Sequence, residues 1–416
     1  MIVETLAVGT EMLLGQIVNT NAAEIGVRLA ESGLDHYRQM VVGDNLERLA
    51  AALEEAAVRS DAVIVTGGIG PTQDDITREA MCAVAGVGMV FDETFADHLR
   101  RMWEARGRVM PESNLRQAEY PEGAVMIPNP RGTAPGLRLR VGGAWVIALP
   151  GVPQEMLPML EESVLPFLMA EDGGGRMILE SRLIRTYGLP ESQVAEILGD
   201  LFAVAGNPTM AFLASAGEIK VRLTARAPDG DAAAALLDPV EALVRERLGR
   251  RVFAVGGAPI EEIVLGLARD RGWTVGTAES ATGGLVAARL TSVPGASQVF
   301  VGSIVAYTGA AKQLHLGVPA AVIDGHGVVS PETALAMAAG GAARLPSDVV
   351  VAVTGAAGPD PLGAPPGTMV VAVRTPKAAR ARVLHLPGDR ERSRTLATTA
   401  ALQMLRLGIT GEWWTG

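Results

Sequence analysis

Along the first 170 residues, short apolar runs alternate with stretches whose apolar residues recur every three to four positions. Val3-Glu4-Thr5-Leu6-Ala7-Val8-Gly9 reads as a strand, and Ala62-Val63-Ile64-Val65-Thr66 as a buried, β-branched strand bounded by Gly67-Gly68. Trp145-Val146-Ile147-Ala148-Leu149 is a third run, stopped by Pro150-Gly151. Helical spacing predicts helices over about 21–31, ended by Gly33, over 46–59 with Glu47, Glu54 and Glu55 on the wet side, and over 77–85. Such alternation predicts a mostly parallel sheet with helices on both faces.

The pattern breaks at Glu171-Asp172-Gly173-Gly174-Gly175, which reads as a linker. A block of about 80 residues follows: a strand at 178–186, a helix at 191–201, a period-two strand at 218–227 and a helix at 231–248. After Gly256-Gly257 the α/β alternation returns. It predicts helices at 260–271, 283–291, 331–343 and 391–407, and strands at 274–278, 299–307, 349–354 and 368–373. The expected fold class is therefore α/β: two doubly wound, mostly parallel-sheet domains at 1–172 and 258–412, separated by a small α+β module at 176–255.

Composition narrows this picture. Of 416 residues 48% are hydrophobic, enough for buried cores, but 7 Phe, 5 Trp and 4 Tyr leave those cores to aliphatic side chains. The net charge of −10 and the lack of a Lys/Arg run argue against nucleic acid as a partner. A single Cys82 excludes a disulfide framework or a Cys-rich zinc site. The longest uncharged stretch, Leu290 to Ala311, holds Pro294 and three Gly and suits a turn and strand better than a membrane span. The start, Met1-Ile2-Val3-Glu4, lacks signal-peptide features, so a cytoplasmic protein is expected.

Two constellations carry chemistry. In the first, Thr66-Gly67-Gly68-Ile69-Gly70-Pro71-Thr72-Gln73-Asp74-Asp75-Ile76-Thr77 joins a strand to a helix. Glycines at the carboxyl end of a strand let backbone N–H groups meet an anion. Asp74 and Asp75 would repel that anion unless a divalent cation lay between; equally, either could simply cap the helix. Gly9-Thr10-Glu11 through Asn19-Thr20-Asn21, and Pro128-Asn129-Pro130-Arg131-Gly132-Thr133-Ala134-Pro135-Gly136, are further polar loops that suit a nucleotide or pterin pocket.

In the second, Thr277-Ala278-Glu279-Ser280-Ala281-Thr282-Gly283-Gly284 again joins a strand to a helix. Helix-start amides there could face a phosphate or an oxyanion. Lys312 lies 32 residues beyond Ser280, about one βαβ unit, so their side chains can converge at neighbouring strand ends. A desolvated lysine can take the proton of a serine nucleophile. A helix-capping serine and an exposed lysine are the plainer readings.

These segments, with Leu149-Pro150-Gly151-Val152-Pro153-Gln154-Glu155-Met156, resemble the CinA (competence/damage-inducible) family over essentially the whole chain. The resemblance implies an N-terminal domain with the fold of molybdopterin-binding proteins that hydrolyses the pyrophosphate of ADP-ribose with a divalent metal. Gly67, Gly68, Gly70 and Asn19 would then line the substrate. Asp75 would be the acidic catalytic residue, and Asp44, Asp74, Asp75 and Glu11 the metal-ligand candidates. The resemblance also implies a C-terminal nicotinamide mononucleotide deamidase needing no cofactor, with Ser280 as nucleophile, Lys312 as general base and Tyr307 beside them. Thr282, Gly283, Gly284, Thr354, Gly355, Gly358, Thr368 and Arg390 would bind substrate. The chain departs from the family pattern at Ala281, often Cys, and at Gly309, where Asn is common. The loop after Pro359 is also less glycine-rich than usual.

The family's middle block is K-homology-like. The segment Ala214-Ser215-Ala216-Gly217-Glu218-Ile219-Lys220 lacks a Gly-x-x-Gly loop with basic neighbours, so a spacer or dimer contact is expected rather than an RNA binder. A homodimer without nucleic-acid or membrane partners is the expectation. Two alternatives stand beside it: a pterin-binding or adenylyl-transfer N-terminal module, and a non-catalytic nucleotide-binding regulator.

Overall fold

The computed structural model describes residues 1–173, 177–204, 206–358 and 363–414, with the side chains of 202–204 excepted. Compactness divides the chain into two units, 1–180 with 224–236, and 181–223 with 237–416. This division passes through the middle block, so three stretches in sequence are two bodies in packing. Gly174 and Gly175 of the expected linker, and the start of the loop after Gly358, lie outside the described residues.

The first region contains β1 (Ile2–Val8), β2 (Asp35–Val42), β3 (Ala62–Thr66), β4 (Met89–Phe91), β5 (Glu119–Pro121), β6 (Val125–Ile127), β7 (Gly136–Val141) and β8 (Ala144–Leu149). Six of them form one sheet in the order β2-β1-β3-β8-β7-β6, while β4 and β5 pair separately. The β2-β1-β3-β8 pairings are parallel and the β8-β7-β6 pairings antiparallel. All five residues of β3 are buried, as befits a strand covered on both faces. On one face Leu49 and Leu53 of the helix Leu46–Arg59, with Ala80 and Met81 of Thr77–Ala85, pack on Leu6, Val63 and Val65. On the other, Ile25 and Leu29 of Thr20–Glu31 join Met156, Met159 and Leu168 against Val3, Ile64 and Ile147. The layer is doubly wound, as the pattern predicts. The chain leaves β1 for β2 on one side and returns to β3 on the other, so the polar loops after β1 and β3 meet at a switch point.

The middle block adds β9 (Ile178–Tyr187), β10 (Thr209–Ser215), β11 (Glu218–Ala227) and β12 (Val252–Val255), in the order β10-β11-β9-β12, with helices Glu191–Val204 and Gly230–Leu248. Residues Ala216 and Gly217, both at positive φ, make the turn from β10 to β11. The segment Ala214–Lys220 is thus a hairpin.

The last region has β13 (Val275–Glu279), β14 (Phe300–Val305), β15 (Val349–Gly355), β16 (Thr368–Arg374) and β17 (Ala379–His385), ordered β14-β13-β15-β16-β17. In this sheet β14-β13-β15 are parallel, as expected, and β15-β16-β17 continue it antiparallel. Among the described residues no helix intervenes between β15 and β16 or between β16 and β17, and strands joined without a crossover run antiparallel. Helices cover both faces: Val264, Leu265, Val286, Leu290, Leu402 and Leu405 pack on Val351 and Val371, and Ala334, Met337 and Ala338 on Ala278, Val350 and Ala352. No helix among the described residues is long and apolar enough to cross a membrane.

Candidate active sites

The serine site sits at the carboxyl end of β13, the central strand of the parallel part of its sheet. Ser280 continues the ladder, its N–H donating to Val353 O at 2.8 Å. Lys312 comes from the helix Gly309–Leu316, whose N-cap Thr308 accepts from Ala311 N–H. Lys312 Nζ lies 2.7 Å from Ser280 Oγ. Its other partners are the carbonyls of Ala306 at 3.3 Å and Tyr307 at 3.5 Å. Ser280 is 5% exposed and Lys312 2%. No carboxylate among the described residues pairs with the ammonium, and burial pushes its pKa down from 10.5 to about 8. A neutral amine is therefore accessible near neutral pH, in line with the serine hydroxyl.

Glu279, quoted in the motif but given no role there, is the best-connected residue of the loop. Fully buried, its carboxylate accepts from Gly284 N–H at 2.9 Å, Val286 N–H at 3.1 Å and Ala287 N–H at 2.9 Å. It also accepts from Thr277 Oγ1 at 3.2 Å. This corrects the expectation that the helix-start amides face a ligand: Glu279 already uses them. The N–H groups of Ala281 and Thr282 have no acceptor among the described residues, so they are the donors left beside Ser280. Arg394 holds the loop from outside, Nε donating to Ala281 O at 3.1 Å and Nη2 to Thr282 O at 3.0 Å. Gly284 sits at φ +97°, a conformation that favours glycine, which lets the chain turn from loop into helix.

The remaining residues are disposed around this centre. Tyr307 meets Ser280 and Lys312 through its carbonyl; its side chain is 56% exposed and its hydroxyl is hydrogen-bonded by exposed Arg390. Thr354 is buried and donates to Val328 O at 2.7 Å, while Thr368 Oγ1 lies 3.5 Å from His385 Nδ1. Gly355 is packed tight: a Cβ there would lie 2.2 Å from Met369 Sδ. Gly283 lies against Arg394, and Gly358 borders residues outside the described set. Thr282 Oγ1 is buried with no hydrogen-bond partner.

In the first region a cavity of about 440 Å³ opens where the loops after β1, β3 and β8 meet. Gly67, Gly68, Gly70, Glu11, Asp44, Asp74 and Asp75 all line it. The glycine loop is pinned by its carbonyls. Thr77 takes Gly67 O (2.8 Å) and Gly68 O (2.9 Å), and buried Arg78 donates to Ile69 O at 2.6 Å and Gly70 O at 2.5 Å. Arg116 bonds Thr72 O, Asp75 O and Glu79. With carbonyls held inward, the N–H groups of Gly68, Ile69 and Gly70 have no acceptor among the described residues, an arrangement suited to an anion. Gly68 sits at φ +66° with Thr77 Oγ1 2.4 Å from where a Cβ would be, so no side chain fits there.

The carboxylates are less free. Asp75 accepts from Thr72 N–H at 2.8 Å and Thr72 Oγ1 at 2.5 Å. Asp44 accepts from Thr10 N–H at 3.0 Å while Thr10 Oγ1 accepts from Asp44 N–H. Asn19 is the N-cap of Thr20–Glu31, accepting from Ala22 N–H at 3.1 Å, and does not line the cavity. Among the described residues no three His, Cys, Asp or Glu side chains converge as a metal-ion site. Asp44, Asp74, Asp75 and Glu11 line one cavity without forming a three-ligand cluster. Two lining residues went unassigned in the sequence: Gln117, and Glu155, which accepts from Asn129 Nδ2 at 2.7 Å.

Three family profiles match the chain in order: a probable molybdopterin binding domain over residues 4–170, a damage-inducible protein CinA KH domain over 181–254 and the CinA C-terminal domain over 257–409. A CinA-like protein of Frankia casuarinae is 46% identical, the alignment covering 98% of this chain and 96% of that protein. A CinA-like protein of Dictyoglomus turgidum is 42% identical over 98% of both. Among solved structures, the protein CinA from Thermoplasma acidophilum is 37% identical, covering 41% of this chain and 98% of that one, with a TM-score of 0.37.

Proposed function

The chain belongs to the CinA family, and from that premise we propose that it is a two-site hydrolase of pyridine-nucleotide recycling. The reading rests on one observation above all: Lys312 Nζ lies 2.7 Å from Ser280 Oγ, both buried, with no carboxylate among the described residues paired to the lysine. In this reading neutral Lys312 takes the Ser280 proton as Oγ attacks the carboxamide carbon of nicotinamide mononucleotide. The N–H groups of Ala281 and Thr282 donate to the oxyanion of the tetrahedral intermediate. The C–N bond breaks, Lys312 returns the proton and ammonia leaves. Water then attacks the acyl-Ser280 ester with Lys312 as base, releasing nicotinic acid mononucleotide. Arg390, exposed and bonded to the Tyr307 hydroxyl, meets the substrate phosphate in this reading. No cofactor enters these steps.

For the first region we infer ADP-ribose hydrolysis to AMP and ribose 5-phosphate. The unpaired N–H groups of Gly68, Ile69 and Gly70 support a phosphate subsite. With no cluster of three metal ligands among the described residues, the divalent cation in this reading arrives as part of the substrate, bound to its phosphates.

Ammonia release from nicotinamide mononucleotide, and AMP release from ADP-ribose with Mg²⁺ or with chelator, test the two halves. Loss of the first in both Ser280→Ala and Lys312→Ala, and of the second under chelation, is expected. A wild-type protein that releases neither product would leave a nucleotide-binding regulator, and one that retains pterin but not ADP-ribose would leave a pterin-binding module.

A further inference from the structure

The last helix, Arg390–Thr410, is covered on every side over much of its length. From Ala397 to Arg406 each residue is buried, a run of nearly three turns. A helix that only covers one face of a sheet keeps a wet side, so something besides the sheet lies against this one. Ala397, Ala401 and Leu405 pack on the sheet, in the cluster of Val351 and Val371. Leu396, Gln403 and Arg406, spaced by seven and three residues, fall together on another side.

The middle block meets that side, within the second compact unit. Its hairpin turn touches Leu396: a Cβ on Gly217 would lie 3.0 Å from Leu396 Cδ2. Beside it the buried Glu218 carboxylate accepts from Gln403 Nε2 at 3.3 Å and from Arg185 Nη1 at 3.2 Å. Gln403 Oε1 in turn accepts from Arg406 Nε at 3.2 Å, and the Arg406 guanidinium lies 5.8 Å from the centre of the Phe253 ring on β12. Arg185 Nη2 ends the chain on Gly257 O at 3.0 Å. A connected chain of buried polar groups specifies one geometry, because a shift of either side leaves its members unpaired.

The same helix carries the arginines of the serine site. Arg394 holds the carbonyls of Ala281 and Thr282. The Ala281 carbonyl and the Thr282 N–H belong to one planar peptide unit, so fixing the first aims the second. Arg390, at the first helical position, bonds the Tyr307 hydroxyl. Between this first turn and the hairpin lies an open cleft of about 950 Å³, lined by Asp389, Glu391, Arg392 and Thr395. On that side the first turn faces the cleft, so the direction of the helix is set by its contacts lower down, at Leu396 and Gln403.

We propose that Glu218 of the middle block is a positioning residue of the serine site: through Gln403 it sets the last helix, and with it Arg394, the Thr282 N–H and Arg390. This rests on the deamidase reading and gives the middle block a part in that site in place of a spacer's role.

Deamidation of nicotinamide mononucleotide by the full chain tests it, with kcat and KM taken well below each variant's melting temperature and expressed per folded molecule. Glu218→Ala and Gln403→Leu each cut the link, and each is expected to lower kcat by about tenfold and raise KM by about threefold. The double variant should lose no more than the worse single one, within about twofold, because both changes act on one link. Should the buried variants fold poorly, Leu396→Ala, at a half-buried position, leaves the polar chain intact and should give the same split at about threefold in kcat. A residue that merely stabilises the fold would leave kcat and KM per folded molecule at wild-type values. That result, or losses that add in the double variant, overturns the proposal while ammonia release by the wild type stands. A wild type that releases no ammonia overturns the deamidase reading with it.

Discussion

The two candidate sites occupy the same place in two similar sheets, the carboxyl end of a central parallel strand, and are built in opposite ways. At Ser280 the reactive pair is assembled and buried: Lys312 reaches the serine at 2.7 Å inside the protein. Around Gly67–Gly70 the backbone is assembled but the side chains are not. Arg78 and Arg116 hold the loop by its carbonyls, Asp44 and Asp75 are engaged with threonines, and no metal cluster forms among the described residues. Covalent chemistry by two side chains needs both placed beforehand. Hydrolysis of a phosphoanhydride needs mainly a cradle for charge, which backbone amides can supply while the substrate brings its own cation.

If that contrast is right, substitutions should separate the sites. The largest effect is expected at the nucleophile: Ser280→Ala should lower the deamidation rate by about 10⁵-fold or more, with ADP-ribose turnover unchanged in the same preparation. Lys312→Met should lower deamidation by roughly 10²–10⁴-fold, the range of a general base, and stabilise the fold. The sign follows from burial. The native lysine titrates near about 8 and the unfolded one near 10.5, so below about pH 8 the native state carries a buried ammonium. Wild-type stability rises with pH between those values, so the gain in melting temperature from Lys312→Met should be largest at neutral pH and vanish near the upper one. In the other site, Arg78→Met should release the carbonyls of Ile69 and Gly70 and reduce ADP-ribose hydrolysis by about tenfold or more, leaving ammonia release intact. The smallest effect is expected for Arg390→Ala: about a tenfold rise in KM for nicotinamide mononucleotide with kcat nearly unchanged, since an exposed cation contributes binding rather than chemistry.

What could be read from the chain tracks how local each interaction is. Ser280 and Lys312 were readable because one βαβ unit fixes their separation. The helix Leu46–Arg59 and strand Ala62–Thr66 were readable because burial imposes its period on them directly. Glu279 was quoted without a role: a glutamate ending a strand looks like a surface residue until the helix starting at Leu285 brings its amides back onto it. Arg116 acts on Thr72 from 44 residues away and Arg394 on Ala281 from 113, and such bonds leave no periodic trace. Asn19 shows the reverse: an asparagine before a helix is a cap by default, and a cap is what it is. Strand β17 had no counterpart in the sequence reading because it is mostly exposed and carries two arginines, so no apolar run announces it.

The account's central claim is that a neutral, desolvated Lys312 activates Ser280. The pH dependence of nicotinamide mononucleotide deamidation in the wild type and in Lys312→Arg tests it most directly. The claim requires kcat/KM for the wild type to climb about tenfold per pH unit and level off above about 8. Lys312→Arg, whose guanidinium cannot deprotonate in this range, should be slower at every pH, with no such rise. A wild-type profile flat from acid to alkaline pH, or an arginine variant that keeps both the rate and the rise, would contradict it.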